Sequence, residues 1–189
     1  MNSYPTMNDV IDSQVIAAVK REKDMEAALK CKADTVFLLC GDLISAGNMI
    51  SALNQADKKV FLHIDLLEGI DNSKHALRFA AKEWKITGII TTRLHVTKNA
   101  KKEGLLAIQR IFAIDQSAYQ KGLDMGDYAD ALEVLPGVMP KVIDKMTKRV
   151  STPIIAGGLI ESKQEIREAL KAGALAASVS NTSLWNTGL

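Results

Sequence analysis

Two adjacent glycines in IIAGGLIES, Gly157 and Gly158, and the polar pair Ser180 and Asn181 in SVSNTS carry the sharpest chemical signal in this chain. A glycine has no Cβ, so backbone N–H groups beside it can approach an anion closely, and serine and asparagine add further donors. Helices beginning just beyond such segments would point the positive ends of their dipoles at the same spot. Together these features fit phosphate binding. The local alternative is that the glycines allow a tight turn while Ser180 and Asn181 cap a final helix. A lone glycine pair would decide nothing; the two segments together favour the phosphate.

A second set of polar residues sits in or at the ends of apolar runs. Gln109 and Arg110 interrupt LLAIQRIF, and whichever side chain points inward needs a partner to offset its loss of water. Glu133, in the next apolar run, is that partner, and the pair reads equally well as structural or as ligand-binding. Asp65, closing KVFLHID, suits either orienting or deprotonating a substrate hydroxyl, or a hydrogen bond that organises its own loop. Lys20, at the end of VIAAV, completes this polar group. Other chemistries lack their signatures. His63, His75 and His95 show no metal-binding spacing, and Cys31 and Cys40 form no C-x-x-C, so no zinc is expected. There is no G-x-S-x-G elbow and no G-x-G-x-x-G after the first apolar run. A magnesium ion held through a phosphate and one carboxylate stays open.

The elements that must position these residues are legible as eight short apolar runs: 15 to 19, 35 to 40, 59 to 65, 88 to 92, 105 to 112, 131 to 136, 153 to 158 and 174 to 180. They are continuous rather than alternating, as suits parallel strands buried on both faces. Between them, helical periodicity appears in Ala46, Met49, Ile50 and Leu53, in Leu77, Ala80, Ala81 and Trp84, in Met139, Val142, Ile143 and Met146, and in Ile166, Ala169 and Leu170. Ser162 with Glu165 predicts a capping box, Pro140 a first helical turn, and Gly104 and Gly173 two helix ends. Eight alternating units predict an α/β fold, a compact single-domain (β/α)8 TIM barrel spanning residues 1–189, with an open doubly wound sheet as the alternative. In such a barrel function gathers at the C-terminal ends of the strands, and the ends of strands seven and eight are where phosphate is held. The stretch Gln116 to Asp127 reads as an irregular loop carrying Gly122 and Gly126, and as a candidate moving element.

The chain's 47% hydrophobic and 24% charged residues are globular values, and no apolar run approaches the ~20 residues needed to span a bilayer. The start, MNSYPTMNDVIDS, lacks the layout of a signal peptide, so a cytoplasmic protein with reduced cysteines and no membrane partner is expected. The net charge of +2 does not by itself demand nucleic acid, and solvated helix faces account for the lysine clusters.

HIDLLEG (63 to 69), GIITTR (88 to 93), IQRIFAID (108 to 115), LEVLPGVMPKVI (132 to 143), IIAGGLI (154 to 160) and SVSNTSLW (178 to 185) together resemble the glycerol-3-phosphate-responsive antiterminator family, regulators of bacterial glycerol-uptake operons. The resemblance runs from about Val15 to Trp185. It implies a transcription regulator rather than an enzyme, with glycerol 3-phosphate as effector, no cofactor, and the leader of a nascent mRNA as partner. By position it implies that Gly157, Gly158, Ser180 and Asn181 hold the phosphate, while Asp65, Arg110 and Glu133 face the glycerol end. An RNA role rests on the resemblance alone, since aromatic content is only 5% and no RNA-binding motif appears. Given that role, the basic helix faces with Lys98, Lys101 and Lys102, and with Lys145 and Arg149, are the expected contact regions. A homo-oligomer stays open. The competing expectation is an isomerase, aldolase or lyase acting on a small phosphorylated substrate through Asp65, Asp115 and Glu133. A prenyl-glycerol-phosphate type of transferase ranks below it.

Overall fold

A computed structural model of the chain describes residues 5–188. Eight parallel strands, β1 (Val15–Val19), β2 (Thr35–Leu38), β3 (Lys59–His63), β4 (Gly88–Thr91), β5 (Leu106–Phe112), β6 (Ala131–Leu135), β7 (Ile154–Gly157) and β8 (Ala176–Val179), each pair with the next, and β8 pairs back onto β1. The result is a closed barrel, and all eight strands lie within the eight apolar runs. Closure leaves no open sheet edge.

Side chains alternate across each strand, so every run divides into an inward and an outward set. The outward set, including Leu38, Val60, Leu62, Ile89, Val134 and Ala156, forms a core under the helices. The inward set, including Ile16, Phe37, Phe61, Ile90, Ile108 and Ile155, fills the barrel itself. Phe37 and Phe61 meet edge to face at 5.8 Å. Gly88 makes room for them, since a Cβ there would fall 2.6 Å from the Phe61 ring. Each such side chain contributes roughly 1.5–3 kcal/mol on burial.

The outer layer comprises α2 (Met25–Lys30), α3 (Ser45–Gln55), α4 (Lys74–Lys82), α5 (Leu94–Lys102), α6 (Gln116–Met125), α7 (Pro140–Thr147) and α8 (Lys163–Lys171), one after each of β1 to β7. The expected faces are buried: Ala46, Ile50 and Leu53 on α3, Ile143 and Met146 on α7, Ile166 and Ala169 on α8. The Ser162–Glu165 capping box forms, Pro140 occupies the first turn of α7, and Gly104 and Gly173 take positive φ just past α5 and α8. After β8 the helical position is filled by a single 3₁₀ turn, Thr182–Leu184. One expectation is corrected: Gln116 to Asp127 is not an irregular loop but α6, followed by a 3₁₀ turn, with Gly122 buried in it. A Cβ at Gly122 would lie 2.5 Å from Ile111 Cδ1, so this glycine serves close packing of helix on strand rather than a bend. A short helix before β1, α1 (Met7–Val10), inserts Met7 and Val10, with Ile11 behind them, into the N-terminal end of the barrel. Among the described residues, no helix is long and apolar enough to cross a membrane.

Candidate functional site

The opposite, C-terminal end of the barrel is polar inside. Arg110 and Glu133 face each other in register on β5 and β6, and Arg110 Nε donates to Glu133 Oε2 at 2.6 Å. The second carboxylate oxygen, Oε1, accepts from Ser178 Oγ on β8 at 2.7 Å. Glu133 is almost fully buried, its side chain 2% exposed, and Arg110 is 11% exposed. A buried charge of this kind persists only when paired and hydrogen-bonded on both oxygens, as here. Gln109, one residue before Arg110, points the other way. It accepts from Thr97 Oγ1 on α5 at 2.8 Å and donates to the Thr91 carbonyl, binding sheet to helix outside the barrel.

Gly157, at the end of β7, explains why the array fits. A Cβ there would lie 2.6 Å from Glu133 Oε1 and 2.8 Å from Ser178 Oγ. Beyond it the chain turns sharply, with Gly158 at φ +77° and Leu159 at φ +61°. Positive φ costs a branched or bulky residue free energy, and Leu159 pays it while exposing its side chain to solvent. A cavity of about 90 Å³ opens here, lined by Lys20, Arg110, Glu133, Gly158, Ser178 and Ser180. The structure thus brings most of the expected residues together over one small cavity with two cations on its wall.

Two expected residues do other work. Asn181 Oδ1 accepts from the Ser183 N–H and from Ser183 Oγ, capping the 3₁₀ turn after β8. Asp65 is bound to Thr91 Oγ1 at 2.9 Å, to the Thr92 N–H at 2.7 Å and to Thr92 Oγ1, which organises the loop after β4. Asp115 similarly caps α6 through the Ala118 N–H. Neither Asn181 nor Asp65 lines the cavity.

Two residues that the sequence did not single out also belong to this inward layer. Ser178 stands two positions before Ser180, and His63 two before Asp65, so both follow from the two-residue period once the inward parity is known. His63 is 2% exposed and its Nδ1 has no hydrogen-bond partner. Burial, and then the nearby Arg110 guanidinium, push its pKa down to about 4, so the imidazole is neutral at pH 7. An orphaned, neutral donor–acceptor ring beside Arg110 suits contact with an uncharged hydroxyl group.

The basic helix faces also differ from one another. On α5, Lys101 is paired to Asp130 at 2.8 Å, and the Lys98 ammonium lies 3.7 Å from the centroid of the Tyr128 ring; Lys102 is exposed. On the α7 side, Lys145 and Arg149 line a larger, open groove of about 570 Å³ between α6 and α7. Cys31 and Cys40 are both free thiols.

A family profile described as glycerol-3-phosphate responsive antiterminator matches residues 15–185. This chain belongs to that family. Among solved structures it is similar to the glycerol uptake operon antiterminator regulatory protein of Listeria monocytogenes str. 4b F2365, with a TM-score of 0.88 and 36% identity over 94% of this chain and 97% of that one. It is likewise similar to a glycerol uptake operon antiterminator-related protein of Thermotoga maritima MSB8, with a TM-score of 0.81 and 33% identity over 93% and 99% of the two chains. A relative in Escherichia coli (strain K12), the protein YgcP, is 33% identical over 184 residues, 96% of each chain. The antiterminator membership favours a regulator over a catalyst, and all eight strands lie within the residues that the family profile matches.

Proposed function

We propose that this chain is a cytoplasmic antitermination regulator that senses glycerol 3-phosphate at the mouth of the barrel and acts on the leader of a nascent mRNA. The single observation that carries the sensing half is the buried Arg110–Glu133–Ser178 array beneath the Gly158 turn. In this reading the phosphate lies against Gly158 and Ser180 with Lys20 as its counter-charge. The glycerol hydroxyls reach Arg110, Glu133 and His63, while Gly157 keeps the floor clear. Asn181 and Asp65 act through the backbone they hold. The enzyme alternative drew on Asp65, Asp115 and Glu133, and each of these carboxylates is committed to protein hydrogen bonds. No cofactor enters this account.

The test is calorimetric titration with glycerol 3-phosphate, using glycerol and inorganic phosphate as controls. The intact ligand is expected to bind at least tenfold tighter than either half. Gly158→Asp places a carboxylate against the phosphate and should remove binding, whereas Gly158→Asn imposes the same φ demand without charge and should retain most of it. A protein that ignores the intact ligand, or binds the two Gly158 variants' ligand equally, would overturn the assignment.

A further inference from the structure

We infer that the groove between α6 and α7 takes a single-stranded segment of RNA, one base lying against Tyr119 and adjoining phosphates on Lys145 and Arg149. The inference rests on the RNA half of the proposed function and locates it. The groove is lined by Ile114, Tyr119, Val142, Lys145, Lys148 and Arg149 among others, and its volume of about 570 Å³ falls in the range of clefts that hold ligands.

Three observations select this occupant. First, two cations with no ion-pair partner line this one groove. Lys148 is held by Asp144 at 2.7 Å, but Lys145 and Arg149 have no ion-pair partner among the described residues, while on α5 Lys101 and Lys98 are engaged by Asp130 and Tyr128. The one carboxylate in the groove's lining, Asp115, is turned onto the Ala118 N–H. A polyanion therefore finds net positive charge with no competing partner to displace. Second, Tyr119 is half-buried against the core, so its ring is held in place rather than swinging freely, flanked by apolar Ile114 and Val142. Aromatic faces beside cations are how single strands are bound without base-pair geometry. Third, the groove adjoins the barrel mouth through the chain itself. Ala113 and Ile114 directly follow β5, which carries Arg110, and the Ala113 N–H is bonded to the carbonyl of Leu135, a residue of the mouth cavity, at 2.8 Å.

The test uses a fluorescent 30-nucleotide RNA of randomised sequence and follows anisotropy across salt concentration, since phosphate contacts are independent of sequence. The Lys145→Ala/Arg149→Ala double variant should lose at least tenfold in affinity, with a log–log salt slope shallower by roughly 1.4, at ~0.7 per phosphate contact on a single strand. Tyr119→Phe should bind as the native chain does, while Tyr119→Leu, which keeps the packing, should weaken binding without changing the slope. A Lys98→Ala/Lys101→Ala control should bind normally. If the native chain binds RNA and only the α5 control fails, the groove assignment falls while the regulator reading stands. If the native chain binds no RNA even at low salt, the RNA half of that reading falls and takes the groove with it. A dimer by sedimentation that the double variant dissociates, with RNA affinity unchanged, would assign the groove to a second copy of the chain and overturn the proposal.

Discussion

His63 couples the mouth of the barrel to pH. Burial, reinforced by Arg110, holds its pKa near 4, against an ordinary value near 6.5, so the folded state resists its protonation. Above pH 6.5 the ring is neutral whether the chain is folded or not, and its contribution is fully present. As the pH falls from 6.5 toward 4 the unfolded chain takes up the proton first, and stability drops by about 3 kcal/mol from this residue alone. Chemical denaturation of the native chain and of His63→Gln at intervals from pH 7.5 to 4 should show that drop only in the native chain; parallel curves would refute it. The same residue marks where reading from the amino acids stops. The sequence pairs Arg110 with Glu133 because two charges in adjacent apolar runs have nowhere else to go. Gln109 could not be separated from Arg110, because a continuous apolar run conceals which parity faces inward. His63 and Ser178 stayed hidden for the same reason. Asn181 and Asp65 have the right chemistry, but short polar side chains beside a turn are as readily spent on local backbone groups as on a ligand.

Elements were more legible than residues, because a buried parallel strand writes a continuous apolar run and a surface helix writes a period of about four. All eight strands and the faces of α3, α7 and α8 follow from those two patterns, and on α4 the stripe holds at Leu77 and Ala80 while Trp84 falls past the helix end. The failures have physical causes too. The run Gln116 to Met125 lacks a clear apolar stripe, and Gly122 looks like a breaker until Ile111 is seen against it. The segment α1 is four residues long, too short for periodicity to show, and is held by the barrel end that Met7 and Val10 fill. The Ser162–Glu165 capping box at the head of α8 allows a test of how well the Gly158 turn is anchored. The Glu165 carboxyl accepts from the Glu161 and Ser162 N–H groups, which hold its pKa below the usual range. Ser162→Ala should cost about 1 kcal/mol in denaturant unfolding. If α8 positions the Gly158 turn, the same change should also weaken glycerol 3-phosphate binding by more than twofold. Unchanged affinity would mean that β7 and β8 alone set the turn.

At the scale of the whole molecule the barrel separates two tasks. Its N-terminal end is closed by Met7, Val10 and Ile11 and is apolar, while its C-terminal end carries the charged array and the cavity. This is the usual division in the fold, with stability at one end and chemistry at the other. Effects at the two ends should then add, provided the inward cluster that joins Met7 to Ala18, a residue of the cavity wall, transmits no shift between them. Met7, 1% exposed, offers the test. Truncating it to alanine should cost about 2–5 kcal/mol and lower the melting temperature accordingly. On the proposed sensing role, glycerol 3-phosphate at a hundred times its Kd would stabilise the folded state by about 2.7 kcal/mol, a rise of roughly 5–10 °C for a chain of this length. The increment should be the same in the native chain and in Met7→Ala, although the two start from different temperatures. A smaller increment in the variant would mean that the plug end helps to shape the mouth, so that the inward layers from Met7 up to Arg110 act as one column. In that case the closing helix would itself belong to the sensing apparatus.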